Sequence, residues 1–224
     1  GFNNLGIKNL KINLLNRRST GIVGVNIGKN RDTPLEKAKF DYLHCMDTIY
    51  NCADYITVNI SSPNTEKLRT LQFGESLEEL LHSLKLKQEA LSNRTDRYVP
   101  LALKISPDLT RGEVESIANA LAAYKIDGVV ATNTTLDRTN LSNVKYASEA
   151  GGLSGVPLTE KATMVIKLLK QHLRDNIPII AVGGIMSAGD ARKKFAAGAK
   201  LIQIYSGLVM KGPGLIKEIN ESKY

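Results

Sequence analysis

Six short runs rich in Val and Ile, apolar nearly from end to end, punctuate the chain at residues 21–27, 55–60, 99–105, 128–132, 178–182 and 201–205. A strand with one wet face alternates polar and apolar residues, whereas a strand covered on both faces does not. Amphipathic helix patterns separate the runs, over residues 35–53, 76–91, 110–124, 159–173 and 188–197. Leu77, Leu80, Leu81 and Leu84 carry the apolar stripe of the second of these, and Thr110 with Glu113 predicts a capping box at the start of the third. Strand–helix alternation with strands of this composition implies a parallel α/β sheet.

The choice is then between an open doubly wound sheet and a closed barrel. Polar residues or glycine stand at the C-terminal end of nearly every strand: Asn26, Asn59, Lys104, Asn133, Gly184 and Ser206. A barrel brings such ends to one mouth, while an open sheet offers one crevice, usually with a GxGxxG turn after its first strand. No such turn is present. The reading is therefore a (β/α)8 TIM barrel. Six runs fall short of eight strands, and the C-terminal end reads as complete. The expectation is that the chain holds about the last six β/α units as one domain over residues 1–224, with residues 3–17 forming the helix before the third barrel strand. The start Gly1-Phe-Asn-Asn4, without Met, fits a piece of a longer polypeptide.

Two glycine-bearing strand ends bear on function: Pro178-Ile-Ile-Ala-Val-Gly-Gly-Ile185 and Leu201-Ile-Gln-Ile-Tyr-Ser-Gly207. Each runs from an apolar strand towards a helix pattern. Glycine lets a phosphate approach the backbone N–H groups closely, and a helix N-terminus favours the negative charge. Two such ends in succession match the phosphate site after the last two strands of a TIM barrel.

Asn59-Ile-Ser-Ser-Pro-Asn-Thr65 is the densest polar cluster, and its residue types also suit a turn. Lys104 follows in Leu-Ala-Leu-Lys-Ile, a lone cation in an apolar strand. A cation buried there without a partner is costly, which favours an anionic ligand over a structural salt bridge. Asn26 and Asn133 repeat the pattern on neighbouring strands, and four strand-end amides or amines suit a planar heterocycle. Residues 61–75 and 134–158 are longer than ordinary connections, as lids and binding loops are.

Composition excludes some classes. The net charge is +8, from 30 Lys and Arg against 22 Asp and Glu. These bases are scattered as Arg17-Arg18, Lys85 and Lys87, and Arg192-Lys193-Lys194, on what read as solvated helix faces. There is no basic stripe interleaved with aromatics, so no nucleic-acid partner is expected. Cys45 and Cys52 read as core thiols of a reducing compartment, and the three histidines lack metal-ligand spacing, so no metal is expected. No apolar run reaches the roughly 18 residues that span a bilayer.

The segments 21–30, Asn59–Thr65 with Leu68-Arg-Thr-Leu-Gln72, 104–108, 132–138, Gly151-Gly-Leu-Ser-Gly155, 182–185, and 204–207 with Lys211-Gly-Pro213 together resemble the dihydroorotate dehydrogenase family, in order along the whole chain. Ser62 is similar to the quinone-dependent, membrane-associated class; soluble fumarate- or NAD-linked members typically carry cysteine in this loop.

The resemblance implies oxidation of (S)-dihydroorotate to orotate in pyrimidine biosynthesis, with FMN as hydride acceptor and quinone as final electron acceptor. It implies FMN contacts at Asn26, Asn59, Lys104, Thr132, Gly155, Gly184, Tyr205 and Ser206, the last three near the phosphate. Asn59, Asn64, Asn133 and Thr134 would hold the substrate, with Gly1 and Phe2 at its edge. Ser62 would be the base, Thr65 part of its proton relay, and Lys104 would stabilise charge on the reduced flavin. The family pattern also places a membrane- and quinone-contacting segment, a lysine and an asparagine before residue 1. The longer parent is accordingly expected at the cytoplasmic face of the inner membrane, and the 224 residues alone are expected to be soluble and inactive. Two alternatives stay open: another FMN-dependent barrel acting on a dihydropyrimidine-like ring, and a non-catalytic flavin-binding fragment.

Overall fold

The apolar runs form one parallel sheet whose strands lie in chain order. The computed structural model describes residues 4–139, 141, 145 and 147–222. Along the chain come α1 (Gly6–Leu15), β1 (Gly24–Gly28), α2 (Ala38–Ile49), β2 (Tyr55–Asn59), α3 (Gly74–Thr95), β3 (Leu101–Ile105), α4 (Arg111–Ala123), β4 (Gly128–Ala131), α5 (Thr159–Leu173), β5 (Ile179–Val182), α6 (Ala188–Ala196), β6 (Leu201–Gln203), α7 (Ser206–Lys211) and α8 (Gly214–Glu221).

The sheet curls. Gln203 on β6 donates to the Tyr55 hydroxyl on β2 at 3.5 Å. These strands are four places apart in the sheet, and a flat sheet with about 4.8 Å between strands would separate them by roughly 19 Å. The six strands thus trace an arc of a barrel wall. Alternate residues face its inside, where Ala102, Val130 and Ile180 pack together with Val182. Their neighbours Leu101, Leu103, Val129, Ala131, Ile179 and Ala181 face out and join the larger core under the helices.

β4 is buried at every position, and β2, β3 and β5 nearly so. β1 instead alternates, with Val25 and Ile27 buried and Gly24, Asn26 and Gly28 exposed. Two-sided burial was expected of all six strands; on β1 only the helix-facing side is covered, and β6 is the less buried strand at the other end.

The helices follow their patterns. Leu77, Leu80, Leu81, Leu84 and Leu91 are buried on one face of α3, each stabilising the fold by about 1.5–3 kcal/mol. Thr110 caps α4 with both hydrogen bonds of a capping box in place. No helix among the described residues is long and apolar enough to cross a membrane. The helix expected after Gly207 is present as α7, but its break at Lys211-Gly-Pro213 and the second helix α8 were not read from the sequence. Gly212, at φ 72°, ends α7, and Leu215 and Ile219 seat α8 against Ile185 and Ala191.

Three side chains depart from expectation. Cys45 and Cys52 are half-buried at the margin of the core, not inside it; burial still pushes the Cys45 thiol up to about 11, with Asp41 adding to it. Lys194, expected on a wet face, is 0% exposed. It shares the inner face of α6 with Ala188 and Ala191, whose small size admits its stem. Its ammonium donates to Thr159 O and Thr163 Oγ1 on α5, both at 2.8 Å.

Candidate active site

A cavity of about 840 Å³ opens where the strands end, within the range of small-molecule and cofactor sites. Every described residue singled out from the sequence lines it: Asn26, Asn59, Ser62, Asn64, Thr65, Lys104, Thr132, Asn133, Thr134, Gly155, Gly184, Tyr205 and Ser206. Gly1 and Phe2 lie outside the described residues. The parallel register explains the convergence, since it sets Gly28 beside Asn59 and Asn59 beside Lys104.

On one side the polar groups order one another. Asn133 Nδ2 donates to Asn59 Oδ1 and to Ser61 Oγ, each at 3.1 Å. Ser61 Oγ in turn donates to Lys104 O at 2.7 Å. Tyr42, buried behind β2, donates its hydroxyl to Asn59 O at 2.9 Å. Asn133 Oδ1 accepts from Thr134 N at 2.9 Å, at the start of the long loop after β4.

Lys104 carries no ion pair and no side-chain hydrogen bond among the described residues. Burial holds its ammonium below the ordinary lysine range. The structural salt bridge considered from the sequence is thus absent among the described residues, and the cation faces the cavity.

Ser62 is half-buried at the mouth, and its Oγ accepts from Asn64 N at 3.3 Å. The described lining residues include no carboxylate, imidazole or thiol. Hydroxyls, amides and lysines are the polar side chains available there.

The opposite side is built from glycine. Gly155 and Gly184 have φ of 80° and 72°, conformations that glycine adopts without strain, and their N–H groups have no backbone acceptor among the described residues. Thr159 Oγ1 donates to Gly184 O at 3.0 Å, tying this turn to the start of α5. Ser206 Oγ donates to Ser154 Oγ at 2.8 Å. Unpaired backbone donors opposite a lone, partly desolvated cation suit a ligand with a phosphate at one end and an electron-accepting ring at the other, so the residues fit a phosphorylated flavin.

Some features went unread in the sequence. Lys29 lines the cavity and its ammonium donates to Asn30 O (2.7 Å), Arg31 O (3.3 Å) and Thr33 O (2.5 Å), gathering the loop after β1. Arg69 lay within a quoted motif but had no assigned task. Neither residue has a local pattern that announces its partners.

Comparison with known proteins agrees with this geometry. The sequence model of the family described as dihydroorotate dehydrogenase matches residues 1–222. A protein named dihydroorotate dehydrogenase (quinone) from Aliivibrio fischeri is 55% identical over 219 residues, covering 98% of this chain and 65% of that protein. One of the same name from a Shewanella species is 58% identical over 222 residues, covering 99% and 66%. The crystal structure of ligand-free DHODH from Eimeria tenella superposes with a TM-score of 0.89 at 31% identity, over 98% of this chain and 66% of that one. The chain therefore spans about two thirds of the length of these relatives. Matched by the family along nearly all its residues, and folded as its solved members are, the chain belongs to the dihydroorotate dehydrogenase family.

Proposed function

We propose that this chain forms the FMN and substrate site of a quinone-linked dihydroorotate dehydrogenase, which oxidises (S)-dihydroorotate to orotate in pyrimidine biosynthesis. One observation carries the reading: Ser62 lines the same cavity as Asn59, Asn64, Asn133 and Lys104, with no carboxylate, imidazole or thiol among the described lining residues. The relatives named for the quinone-linked enzyme support the acceptor.

Asn26, Asn59, Lys104, Thr132 and Gly155 would contact FMN, with Gly184, Tyr205 and Ser206 at its phosphate. Bound there, FMN supplies a two-electron acceptor for the hydride that leaves C6 of dihydroorotate. Asn59, Asn64, Asn133 and Thr134, with Gly1 and Phe2 at the edge, orient the substrate. Ser62 Oγ takes the C5 proton. A serine hydroxyl is a weak base, so it must give up its own proton as it accepts one; Thr65, with a water, is the outlet. Lys104 offers positive charge where the electrons arrive. Quinone and membrane contact belong in this reading to the longer parent protein.

The test is anaerobic mixing of the full-length holoprotein with L-dihydroorotate while flavin absorbance is followed. Bleaching that a quinone reverses is the expected result. A yellow protein that dihydroorotate leaves unbleached would remove the substrate assignment, and a colourless one the cofactor.

A further inference from the structure

Arg69 makes no contribution to the cavity wall, yet its guanidinium reaches the two loops that line it after β2 and β4, and the loop after β3 between them. It lies in a short 3₁₀ turn, Leu68–Gln72, inside the loop that carries Ser62. Nε donates to Ser61 O at 3.1 Å, Nη1 to Asp108 Oδ2 at 2.8 Å and Nη2 to Thr134 O at 2.8 Å. These acceptors follow β2, β3 and β4 respectively. The Ser61 carbonyl belongs to the peptide unit ending at Ser62 N, so holding that oxygen fixes the plane from which Ser62 departs. Ser61 is also held through its hydroxyl, by Asn133 and Lys104 O.

Asp108 is the anchor for this guanidinium. Its carboxylate also accepts from Leu136 N at 2.8 Å, from Lys161 Nζ at 2.9 Å and from the Thr135 hydroxyl. Lys161, on α5, pairs in addition with Asp137 at 2.9 Å. Charges of alternating sign thus run Arg69, Asp108, Lys161, Asp137 across the mouth. Arg69 and Asp108 are sheltered, with side chains 19% and 20% exposed. Burial alone would raise the Asp108 carboxyl, but the Thr135, Leu136, Arg69 and Lys161 hydrogen bonds outweigh it and hold it at about 2.

We infer that Arg69, anchored by Asp108, is a positioning residue that sets Ser62 over the substrate by fastening its loop to those after β3 and β4. The inference rests on Ser62 being the base of the proposed reaction. A planar fork with donors in three directions suits this task, and a lysine, as a point charge, cannot span it. Because a misplacement of about 1 Å can cost on the order of 100-fold, the effect belongs in the rate of flavin reduction.

The experiment is anaerobic stopped-flow reduction of the full-length holoenzyme by dihydroorotate, for wild type, Arg69→Ala, Arg69→Lys, Asp108→Asn, Ser62→Ala and the Arg69→Ala/Ser62→Ala double variant. Arg69→Ala and Asp108→Asn are expected to reduce flavin roughly 100-fold more slowly at saturating substrate, with FMN content and reoxidation by quinone unchanged. Arg69→Lys recovers only part of the rate. The double variant is expected to be no slower than Ser62→Ala alone, the signature of a residue acting through Ser62. Full reduction rate in Arg69→Ala, or multiplicative losses in the double variant, would overturn the inference. Should Arg69→Ala fail to fold, a wild-type reduction rate in Arg69→Lys or Asp108→Asn overturns it equally. A wild-type flavin that dihydroorotate does not bleach overturns the functional reading and this inference with it; bleaching of wild type beside an equally fast Arg69 variant overturns the inference alone.

Discussion

Asn133 Nδ2 lies 3.1 Å from Asn59 Oδ1, so the ends of β4 and β2 are joined across the end of β3, which lies between them. The bond occupies Asn59 Oδ1, which also accepts from Ser61 N at 3.2 Å. Asn59 Nδ2 is then the group left to meet a ligand acceptor, with no acceptor of its own among the described residues. One amide is oriented by the other, and the cavity receives a donor of fixed direction.

Asn133→Ala removes that orientation together with whatever Asn133 offers the substrate. Losing the hydrogen bond that orients Asn59, together with a hydrogen bond from Asn133 to the substrate, costs about 1–3 kcal/mol. The dissociation constant for dihydroorotate, measured by flavin perturbation in the full-length holoprotein under anaerobic conditions, is expected to rise by roughly 5- to 150-fold. FMN content should be retained, because Asn133 stands away from the glycine side of the cavity. Unchanged dihydroorotate affinity would sink the assignment.

Gly184→Ala should damage the glycine side specifically. A Cβ there would meet Thr159 Oγ1 at 2.1 Å, Thr159 Cα at 2.5 Å and Thr159 N at 2.6 Å. Two of these are backbone atoms that cannot swing away, and the φ of 72° is itself strained for alanine. Overpacking costs about 1–3 kcal/mol, a fall in Tm of roughly 2–12 °C for a protein of this size, with loss of retained flavin. Gly112, in the first turn of α4, has nothing within 4 Å of its Cβ position; Gly112→Ala is the control and should leave Tm unchanged or slightly raised. Equal thermal shifts for the two variants would contradict the argument.

What the sequence made legible was whatever leaves a local pattern. Val129 and Val130 belong to a run too apolar for a one-sided strand, and the run became β4, buried throughout. Asn59, Lys104 and Asn133 each end such a run, and parallel register carries them to one cavity. Arg69 shows the limit. Its partners Asp108 and Thr134 are 39 and 65 residues away, and nothing within the Leu68–Gln72 turn names them. Lys194 fails differently: in Arg192-Lys193-Lys194 three cations stand in a row, but helical rotation turns only the last towards Thr159. Beyond Gly207 a helix pattern was legible, but not that Gly212-Pro213 divides it into α7 and α8.

Lys104→Met separates stability from function. With no acidic partner among the described residues, the Lys104 cation is partly desolvated without compensation, which costs the ligand-free protein free energy. Replacing it by methionine, of similar length and apolar, should raise the Tm of the flavin-free protein by roughly 2–4 °C, the effect of about 1 kcal/mol. The same change should weaken FMN binding and slow flavin reduction, since the charge is then missing where electrons arrive. Differential scanning calorimetry of both forms checks this; a lower Tm in the flavin-free variant would mean that Lys104 already stabilises the fold.

Lys194 offers a prediction in pH. Burial pushes its ammonium down to about 8 from the ordinary 10.5, against the upward pull of Glu160 and Asp190. Its two acceptors, Thr159 O and Thr163 Oγ1, match the two N–H donors of a neutral amine, whereas the third N–H of the ammonium has no partner among the described residues. Below pH 8 the group is protonated folded and unfolded, so its burial cost is present in full and does not vary with pH. Between about 8 and 10.5 the folded protein has lost the proton while the unfolded chain still binds it, so stability rises with pH. Lys194→Met lacks this contribution. Urea unfolding of the full-length protein and the variant at pH 7.5 and pH 10 isolates it, because other titrating groups cancel in the difference. The wild type is expected to gain on the variant as pH rises. A difference that stays constant across this window would show that Lys194 keeps an ordinary affinity for its proton inside the fold.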